Sequence, residues 1–272
     1  MTKILDGKEL AGFVKERQAN LVREILAGEF GKKKAPKLLI IRDSRNPVIE
    51  KYVQLKKKYG EEIGVAVSDF YAESLEEIRA EILRANEDAE VSGIIVQLPL
   101  VHKEATEEIV KLIKPEKDVD GLSGNGKFDS ATATAINWLL AGYNVELSGK
   151  KIALVGRGRL VGAPLFKMFK NSGFNVSVLE DGDSLETLPE YNVIISATGV
   201  PHLIKDKMVS SGTILVDAGT ASEGGVLVGD IDDSLRLRDD LFAITPRVGG
   251  VGPMTVAVLF DNLISATLNK AS

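Results

Sequence analysis

The chain has 272 residues, 44% of them hydrophobic and 27% charged, with a formal net charge of -5. This length and apolar content allow a large buried core, in one large domain or in two ordinary ones. The acidic balance argues against nucleic acid as a partner, and the lack of cysteine excludes disulfide and thiolate chemistry. We find no signal-peptide core and no apolar run of membrane-spanning length, so we expect a cytoplasmic protein without a membrane partner. The only histidines are His102 and His202, both in predicted loops, and we expect no metal site.

Helix and strand signals alternate along residues 1–121. Apolar residues recur at near-helical spacing in four segments, and Ser74 followed by Glu77 is a capping box that opens the third. Short apolar runs between these helices predict strands. The predicted helices are 10–25, 52–59, 74–83 and 105–113, and the predicted strands are 38–41, 65–70 and 93–96. This alternation is typical of a parallel α/β layer.

The segment 150–164 combines a strand, a glycine turn and a helix, in the order that a dinucleotide site requires. The apolar run 152–155 is followed by Gly156, Gly158 and Gly162, and then by an apolar helical pattern. Glycines let the backbone approach a pyrophosphate, whose charge the amide groups of a helix N-terminus can bind. The spacing G-x-G-x-x-x-G differs from the commoner G-x-G-x-x-G, and an ordinary strand-to-helix turn is the alternative. We predict a dinucleotide site here.

The remaining segments complete a second α/β region. A polar loop at 115–121 and a glycine-rich connection at 123–126 predict a domain boundary. A helix at 132–140 leads into the glycine turn, and a glycine- and proline-rich loop at 245–255 precedes an apolar closing helix at 256–268. Further strands are predicted at 176–179, 193–196, 214–217 and 241–244.

Tyr52 and Lys56 are four residues apart on one predicted helix, so both side chains project from the same face. A lysine beside a phenol can act as a general acid/base if burial lowers its pKa from about 10.4. The alternative is a solvated lysine next to a packed tyrosine, which is more frequent on an isolated helix.

Gln97 and Asp120 are polar residues at places where α/β proteins hold ligands. Gln97 ends an apolar strand, and ligands bind at the carboxyl ends of parallel strands. Its neutral amide can bind a lysine without the ion pairing that would raise the lysine pKa, although a loop glutamine can equally cap backbone groups. Asp120 can accept hydrogen bonds from an amino-heterocycle, but an Asp-Gly turn is the more frequent explanation.

Together these stretches resemble the bifunctional methylenetetrahydrofolate dehydrogenase/methenyltetrahydrofolate cyclohydrolase family. The resemblance covers almost the whole chain and rests on the segments IEKYVQLKKKYGEEIGV, GIIVQLPL, PEKDVDGL, GRGRLVGAP and ITPRVGGVGPMT, which stand in the family's order. It implies an α/β protein with two domains around a cleft. Residues 1–121 plus 250–272 would form the folate-binding catalytic domain, completed by the closing helix, and residues 122–249 the Rossmann-type dinucleotide-binding domain. It also implies a homodimer.

The resemblance implies a role for each matched residue. Lys56, Gln97 and Tyr52 are expected to be catalytic, and Tyr52 is also expected to contact the folate. The remaining residues expected at the folate are Asp120, Gly249, Gly250 and Pro253. Residues expected at the dinucleotide are Gly156, Arg157, Gly158, Val161, Gly162, Glu180, Asp181 and Thr198.

The implied reactions are oxidation of 5,10-methylenetetrahydrofolate by hydride transfer to NAD or NADP, and hydrolysis of the methenyl product to 10-formyltetrahydrofolate. Lys56 would transfer protons, Gln97 would bind Lys56, and Asp120 would anchor the pterin amino edge. A different two-domain Rossmann dehydrogenase, for example one acting on an amino acid, would not need these residues together. A non-catalytic folate-binding protein would tolerate loss of Lys56.

The chain departs from the family pattern at several positions. Ile49 and Gly158 stand where the family usually has serine, and Val101 where it usually has proline. Arg247 lies within the glycine-rich loop. These departures affect the expected substrate and cofactor pockets more than the expected proton-transfer residues.

The cofactor preference follows from the end of the strand 176–179. Glu180 and Asp181 come directly after it, where a carboxylate can accept from a ribose 2′-hydroxyl and repel a 2′-phosphate. Arg157 and Arg159 oppose this effect because either can reach a phosphate. We expect NAD to be preferred over NADP.

Overall fold

The computed structural model describes residues 1–31, 34–223 and 226–269. It confirms the predicted α/β class, because helices alternate with strands and all strand pairs in the two larger sheets are parallel. The chain divides into two compact units. The six-strand unit contains Met1–Ala11 and Thr132–Thr255, and the three-strand unit contains Gly12–Ala131 and Val256–Ser272.

The six-strand unit is built on one parallel sheet. Its strands are β1 (Lys3–Ile4), β5 (Lys151–Val155), β6 (Asn175–Leu179), β7 (Val193–Ser196), β8 (Ile214–Asp217) and β11 (Ala243–Ile244). They lie in the order β1-β11-β8-β7-β5-β6, and helices α5 (Ala131–Gly142) and α6 (Gly162–Asn171) flank β5 in the chain. Every residue of β7 is buried, and so are the last four of β5. Unbroken apolar runs of this kind are typical of parallel strands covered on both faces.

Two features of the six-strand unit are absent from the sequence-based prediction. The strand β1 pairs in parallel with β11, joining Lys3 to Ala243 and Ile4 to Ile244. The strands β9 (Ala221–Glu223) and β10 (Val226–Val228) form a short antiparallel pair. Strands of two or three residues are too short to show an alternating pattern, and tertiary pairing decides them.

The three-strand unit contains a smaller parallel sheet. Its strands β2 (Lys37–Arg42), β3 (Ala66–Tyr71) and β4 (Gly93–Val96) lie in the order β3-β2-β4. The accompanying helices are α1 (Gly7–Ala27), α2 (Pro47–Ile63), α3 (Leu75–Glu87), α4 (Thr106–Lys111) and α7 (Val251–Asn269). The predicted capping box is partly formed, since Ser74 Oγ accepts from Glu77 N at 3.2 Å. The Glu77 carboxylate instead accepts from the amide of Glu73.

The closing helix α7 packs within the three-strand unit along its later turns. The Phe260 ring stacks on Tyr59 with centroids 5.0 Å apart, and Asn262 Nδ2 donates to Val119 O at 2.9 Å. The helix begins at Val251, five residues before the predicted start, so the predicted loop 245–255 ends too late. Pro253 is compatible with this start, because amides in the first helical turn have no intrahelical acceptor.

The unit boundaries differ from the predicted domain ranges. Residues up to Ala11 belong to the six-strand unit, where β1 pairs with β11, although they were predicted in the first domain. Residues 122–131 belong to the three-strand unit, and residues 250–255 to the six-strand unit. That the ranges 1–121 plus 250–272 and 122–249 fold as separate domains stays a prediction.

One helix in the described part of the chain is long and apolar enough to cross a membrane by length and composition. Its window Val251–Leu268 has a mean hydropathy of 1.4, and 61% of it is buried inside the protein. The expectation that no run reaches this length was therefore wrong for α7. Its burial against Tyr59 and Val119 is that of a core helix.

Candidate active site

The structure brings Lys56 and Gln97 together in the three-strand unit. Lys56 Nζ donates to Gln97 Oε1 at 2.6 Å, although 41 residues separate them in the chain. Lys56 projects from α2 and is only 9% exposed, and Gln97 follows the last residue of β4. Tyr52 is half-buried, one turn before Lys56 on the same helix. Of the two alternatives for Lys56, the structure therefore favours the buried lysine.

The sequence around α2 sets the position of Lys56. Asn46 caps the helix, since its side chain accepts from the amide of Val48, and Pro47 occupies the first turn. Gly64 ends the helix in a left-handed conformation at φ 80°. Ile49, where the family usually has serine, is buried on this helix. Apolar residues thus hold one face of α2 in the core, and Lys56 is on the buried part of the helix.

Burial dominates the electrostatics of this site. Loss of hydration lowers the pKa of Lys56 below its usual 10.5, and the charge of Asp120 opposes that shift. Burial also raises the pKa of Asp120 to about 6, against the attraction of Lys56. Both shifts favour the uncharged form of each group, and an uncharged amine can accept a proton.

The loop that carries Asp120 is shaped by its neighbour Asp118. The Asp118 carboxylate is buried and accepts from the amides of Gly121, Leu122 and Ser123 at 2.9–3.2 Å. Gly121 has φ 69°, so the Asp-Gly turn considered from the sequence is present. The two explanations of Asp120 are compatible, because the turn positions its half-buried side chain close enough to Lys56 for their charges to interact.

We expect Asp120 to make folding stability depend on pH. Its folded-state pKa of about 6 exceeds the ordinary 3.8, so the folded state binds more protons between these values. This contribution to the free energy of unfolding is present below pH 3.8 and is lost as the pH rises through 6. Asp120→Asn should gain on the order of 3 kcal/mol relative to wild type across that window. Urea unfolding at several pH values measures the difference, and a constant difference would contradict the shift.

The predicted glycine turn is present in the six-strand unit. Gly156 follows β5 with φ 93°, and α6 begins at Gly162. A Cβ atom on Gly162 would lie 2.0 Å from Gly156 O, so only glycine allows this approach of helix to turn. Val161 is the N-cap of α6, and no side chain caps the helix there. The Ala163 amide of the first helical turn donates to Gly158 O at 3.1 Å, so the helix start folds back onto the glycine turn. These residues fit a pyrophosphate.

The residues at the end of β6 lie beside the glycine turn. Glu180 Oε1 accepts from Arg157 Nη1 at 3.1 Å, and both side chains are about half exposed. The Glu180 amide donates to Asp183 Oδ2 at 2.7 Å. Asp181 is exposed. Arg157 is thus paired with the carboxylate whose effect it was expected to oppose.

Thr198 lies against the glycine turn and is held by a residue that the sequence did not single out. A Cβ atom on Gly156 would lie 3.0 Å from Thr198 Cγ2. Asp230, fully buried, accepts through Oδ2 from Ser196 Oγ, Thr198 N and Thr198 Oγ1 at 2.6–2.9 Å. The sequence offered only the pair Gly229-Asp230, which is an ordinary turn signal.

The glycine-rich loop predicted at the folate belongs to the six-strand unit, whereas Lys56, Gln97 and Asp120 belong to the three-strand unit. Gly249 has φ 96° and accepts through its carbonyl from Lys8 N at 2.8 Å. A Cβ atom on Gly7 would lie 1.8 Å from Gly250 O, so the loop packs closely on the start of α1. The half-exposed Arg247 lies 3.6 Å from Asp233. Within the described residues, no group of His, Asp or Glu could hold a metal.

A parallel sheet whose strand β5 leads through a glycine turn into a helix is typical of α/β enzymes that bind a dinucleotide, and the three-strand unit adds a buried lysine. Residues 5–120 match the family described as "Tetrahydrofolate dehydrogenase/cyclohydrolase, catalytic domain". Residues 130–271 match "Tetrahydrofolate dehydrogenase/cyclohydrolase, NAD(P)-binding domain". The chain belongs to the tetrahydrofolate dehydrogenase/cyclohydrolase family, which confirms the resemblance.

Relatives of similar length support this assignment. A bifunctional protein FolD of Aquifex aeolicus is 35% identical over 99% of this chain and 97% of its own length. The structure of the bifunctional FolD dehydrogenase/cyclohydrolase of Campylobacter jejuni has a TM-score of 0.90 at 31% identity, covering 99% of this chain and all of that one. The Trypanosoma brucei FolD structure, solved with NADP and an inhibitor, has a TM-score of 0.89 at 28% identity, covering 99% and 98%.

Proposed function

We propose that this chain oxidises 5,10-methylenetetrahydrofolate with a nicotinamide dinucleotide and hydrolyses 5,10-methenyltetrahydrofolate to 10-formyltetrahydrofolate. The observation that carries the proposal is the buried Lys56 amine, 2.6 Å from the neutral amide of Gln97 and next to Asp120, in a chain of this family. Gln97 accepts from Lys56 without adding the full negative charge that would raise the lysine pKa.

Hydrolysis is the reaction in which Lys56 acts. The oxygen of a water molecule bonds to the methenyl carbon, the bond from that carbon to N5 breaks, and N5 takes a proton. Water loses two protons in all, one to N5 and one to solvent. Lys56 with its lowered pKa accepts a proton from water and returns it to the nitrogen. Gln97 holds the amine, Asp120 binds the amino edge of the pterin, and Tyr52 stacks on the folate rings.

Oxidation relies on the positioning of two ligands. The dinucleotide, when bound, supplies the acceptor for the hydride of the folate methylene group. Gly156, Gly158 and Gly162 would hold its pyrophosphate at the start of α6, with Thr198 beside them. Catalysis of this step consists mainly of holding the ligands in a reactive geometry.

A spectroscopic assay tests the function directly. The purified protein is mixed with methylenetetrahydrofolate and each nicotinamide dinucleotide, and formation of methenyltetrahydrofolate is followed by its decay. Appearance and decay of the methenyl signal would support both activities. Reduction of the dinucleotide by another substrate, but not by this one, would support the rival dehydrogenase.

We further propose that NAD is preferred over NADP. Glu180 and Asp181 carry negative charge where the 2′-phosphate of NADP would lie, and Gly158 lacks the hydroxyl of the family's usual serine. Because these carboxylates are exposed, screening by water limits the expected effect to roughly fivefold in kcat/KM. The NADP in the Trypanosoma brucei structure belongs to a relative and argues for the opposite preference.

The preference is measured as the ratio of kcat/KM with NAD to kcat/KM with NADP. Asp181→Arg and Glu180→Ser should both lower the ratio, because each removes negative charge from the 2′ position. Arg157→Ala should raise this ratio if, with NADP bound, Arg157 breaks its ion pair with Glu180 and binds the 2′-phosphate instead. A wild-type enzyme at least about tenfold better with NADP would overturn the preference.

The family resemblance and the composition support two further proposals. We propose that the protein is a homodimer in the cytoplasm. Sedimentation equilibrium at micromolar concentration tests the dimer, and fractionation of cells that express the protein tests the location.

A further inference from the structure

The segment from Gln97 to Val101 is attached to the end of β2 at two points. The Gln97 amide donates to Ile41 O at 2.8 Å, extending the ladder between β4 and β2 by one bond. Four residues later, the Val101 amide donates to Asp43 Oδ2 at 2.9 Å. The three residues between these points form the turn that follows the sheet.

This turn sets the orientation of the Gln97 amide group. Gln97 Nε2 donates to Leu98 O at 3.2 Å, which leaves Oε1 to accept from Lys56 Nζ. A shift in the position of the Leu98 carbonyl would therefore rotate the Gln97 side-chain amide and move Oε1 away from Lys56. Leu100, 1% exposed, attaches the turn to the apolar core.

The end of β2 is itself rigid. Arg42 is buried, and its Nε and Nη2 atoms donate to the two oxygens of Asp69 at 2.8 and 3.1 Å. Its Nη1 atom also contacts Glu50 of α2. A bidentate ion pair with little exposure fixes the strand end more firmly than a surface pair does. Asp43 therefore projects from a fixed backbone.

Asp43 is not explained by stability alone. Its second oxygen, Oδ1, is buried and has no hydrogen-bond partner in the described part of the chain. A buried acceptor without a partner destabilises the folded state. Val101 supplies the amide because it is not proline, which has no N–H to donate.

We propose that Asp43 is a positioning residue for hydrolysis, which acts through the Val101 amide and the turn to hold Gln97 against Lys56. The inference rests on the proposed role of Gln97 and Lys56. Asp43 contacts neither residue directly in the described structure, so its effect must pass through the turn.

A double-mutant cycle on the hydrolysis of methenyltetrahydrofolate tests the proposal. Asp43→Ala should lower kcat about tenfold with little change in KM, because Gln97 loses its orientation while the folate contacts remain. Asp43→Asn keeps an oxygen that can accept from Val101 N and should restore most of the activity. Asp43→Ala should have no further effect in the Gln97→Ala enzyme, because the residue through which it acts is gone.

Two variants complete the design. Glu104→Ala removes an exposed carboxylate shortly after the same turn and serves as the matched control. Asp43→Leu keeps the branched side-chain shape without a hydrogen-bond acceptor, and replaces Asp43→Ala in the cycle if the alanine variant does not fold.

Three outcomes would overturn the role of Asp43: wild-type kcat in Asp43→Ala, equal defects in Asp43→Ala and Asp43→Asn, or additive defects with Gln97→Ala. Each of these results leaves the proposed function intact if the single variant Gln97→Ala hydrolyses methenyltetrahydrofolate more slowly than wild type. Wild-type hydrolysis in Gln97→Ala would instead remove Gln97 from the proposed function, and the inference about Asp43 with it.

Discussion

Replacement of Lys56 by methionine is expected to lower the rate of methenyltetrahydrofolate hydrolysis by at least ~100-fold, the usual contribution of a positioned acid/base group. Methionine fills similar space but neither accepts nor donates a proton. Dehydrogenase activity should fall less, because hydride transfer depends mainly on the positions of the two ligands. Stopped-flow measurement of methenyl decay gives the hydrolysis rate, and reduction of the dinucleotide by methylenetetrahydrofolate gives the dehydrogenase rate.

Two further lysine variants separate proton transfer from charge and packing. Lys56→Arg keeps a positive charge but cannot lose its proton near neutral pH, so hydrolysis should stay as low as in Lys56→Met. Lys58→Met, the same change at an exposed position two residues along, should be close to wild type. Near-wild-type hydrolysis in Lys56→Met would remove the lysine from the mechanism.

Gly162→Ala is expected to abolish dinucleotide binding and to leave hydrolysis of supplied methenyltetrahydrofolate intact. The new Cβ atom would lie 2.0 Å from Gly156 O and 2.8 Å from Gly156 C and Arg157 Cα, all backbone atoms that no rotamer change can move. The turn must therefore shift by about an ångström. A shift of this size at the dinucleotide site can lower kcat/KM of the dehydrogenase reaction about 100-fold. Calorimetric titration with NAD gives the dissociation constant independently of activity.

Gly12→Ala provides the matched control for this glycine. It lies within α1, with no atom within 4 Å of its Cβ position, and should bind NAD like wild type. Alanine in a helix interior should also raise stability by up to about 1 kcal/mol. Wild-type NAD affinity in Gly162→Ala would show that the turn tolerates a side chain and would refute the proposed pyrophosphate site. Loss of hydrolysis as well would point to misfolding, which thermal unfolding would reveal.

Local pattern was sufficient for most helices and strands of this protein. The strands β4, β7 and β8 match the predicted ranges, because short apolar runs between turn residues have few other stable conformations. The glycine turn was also readable, since its three glycines lie between a strand and a helix. The family could be recognised because its motifs follow one another along most of the chain.

Local pattern failed where a residue's environment comes from a distant segment. The strand β1 has two residues, and only its pairing with Ala243 and Ile244 makes it a strand. The start of α7 was missed because glycine and proline suggest a loop, whereas the first helical turn requires no amide donors.

The same division holds at the candidate site. The sequence indicated Lys56, Gln97 and Asp120 as residues capable of proton transfer and hydrogen bonding. The helical spacing indicated that Tyr52 shares a face with Lys56. It left open whether Lys56 is solvated, because burial of one helix face depends on what packs against it. Only the tertiary structure determined that the amine is buried 2.6 Å from an amide 41 residues away, and burial is what lowers its pKa.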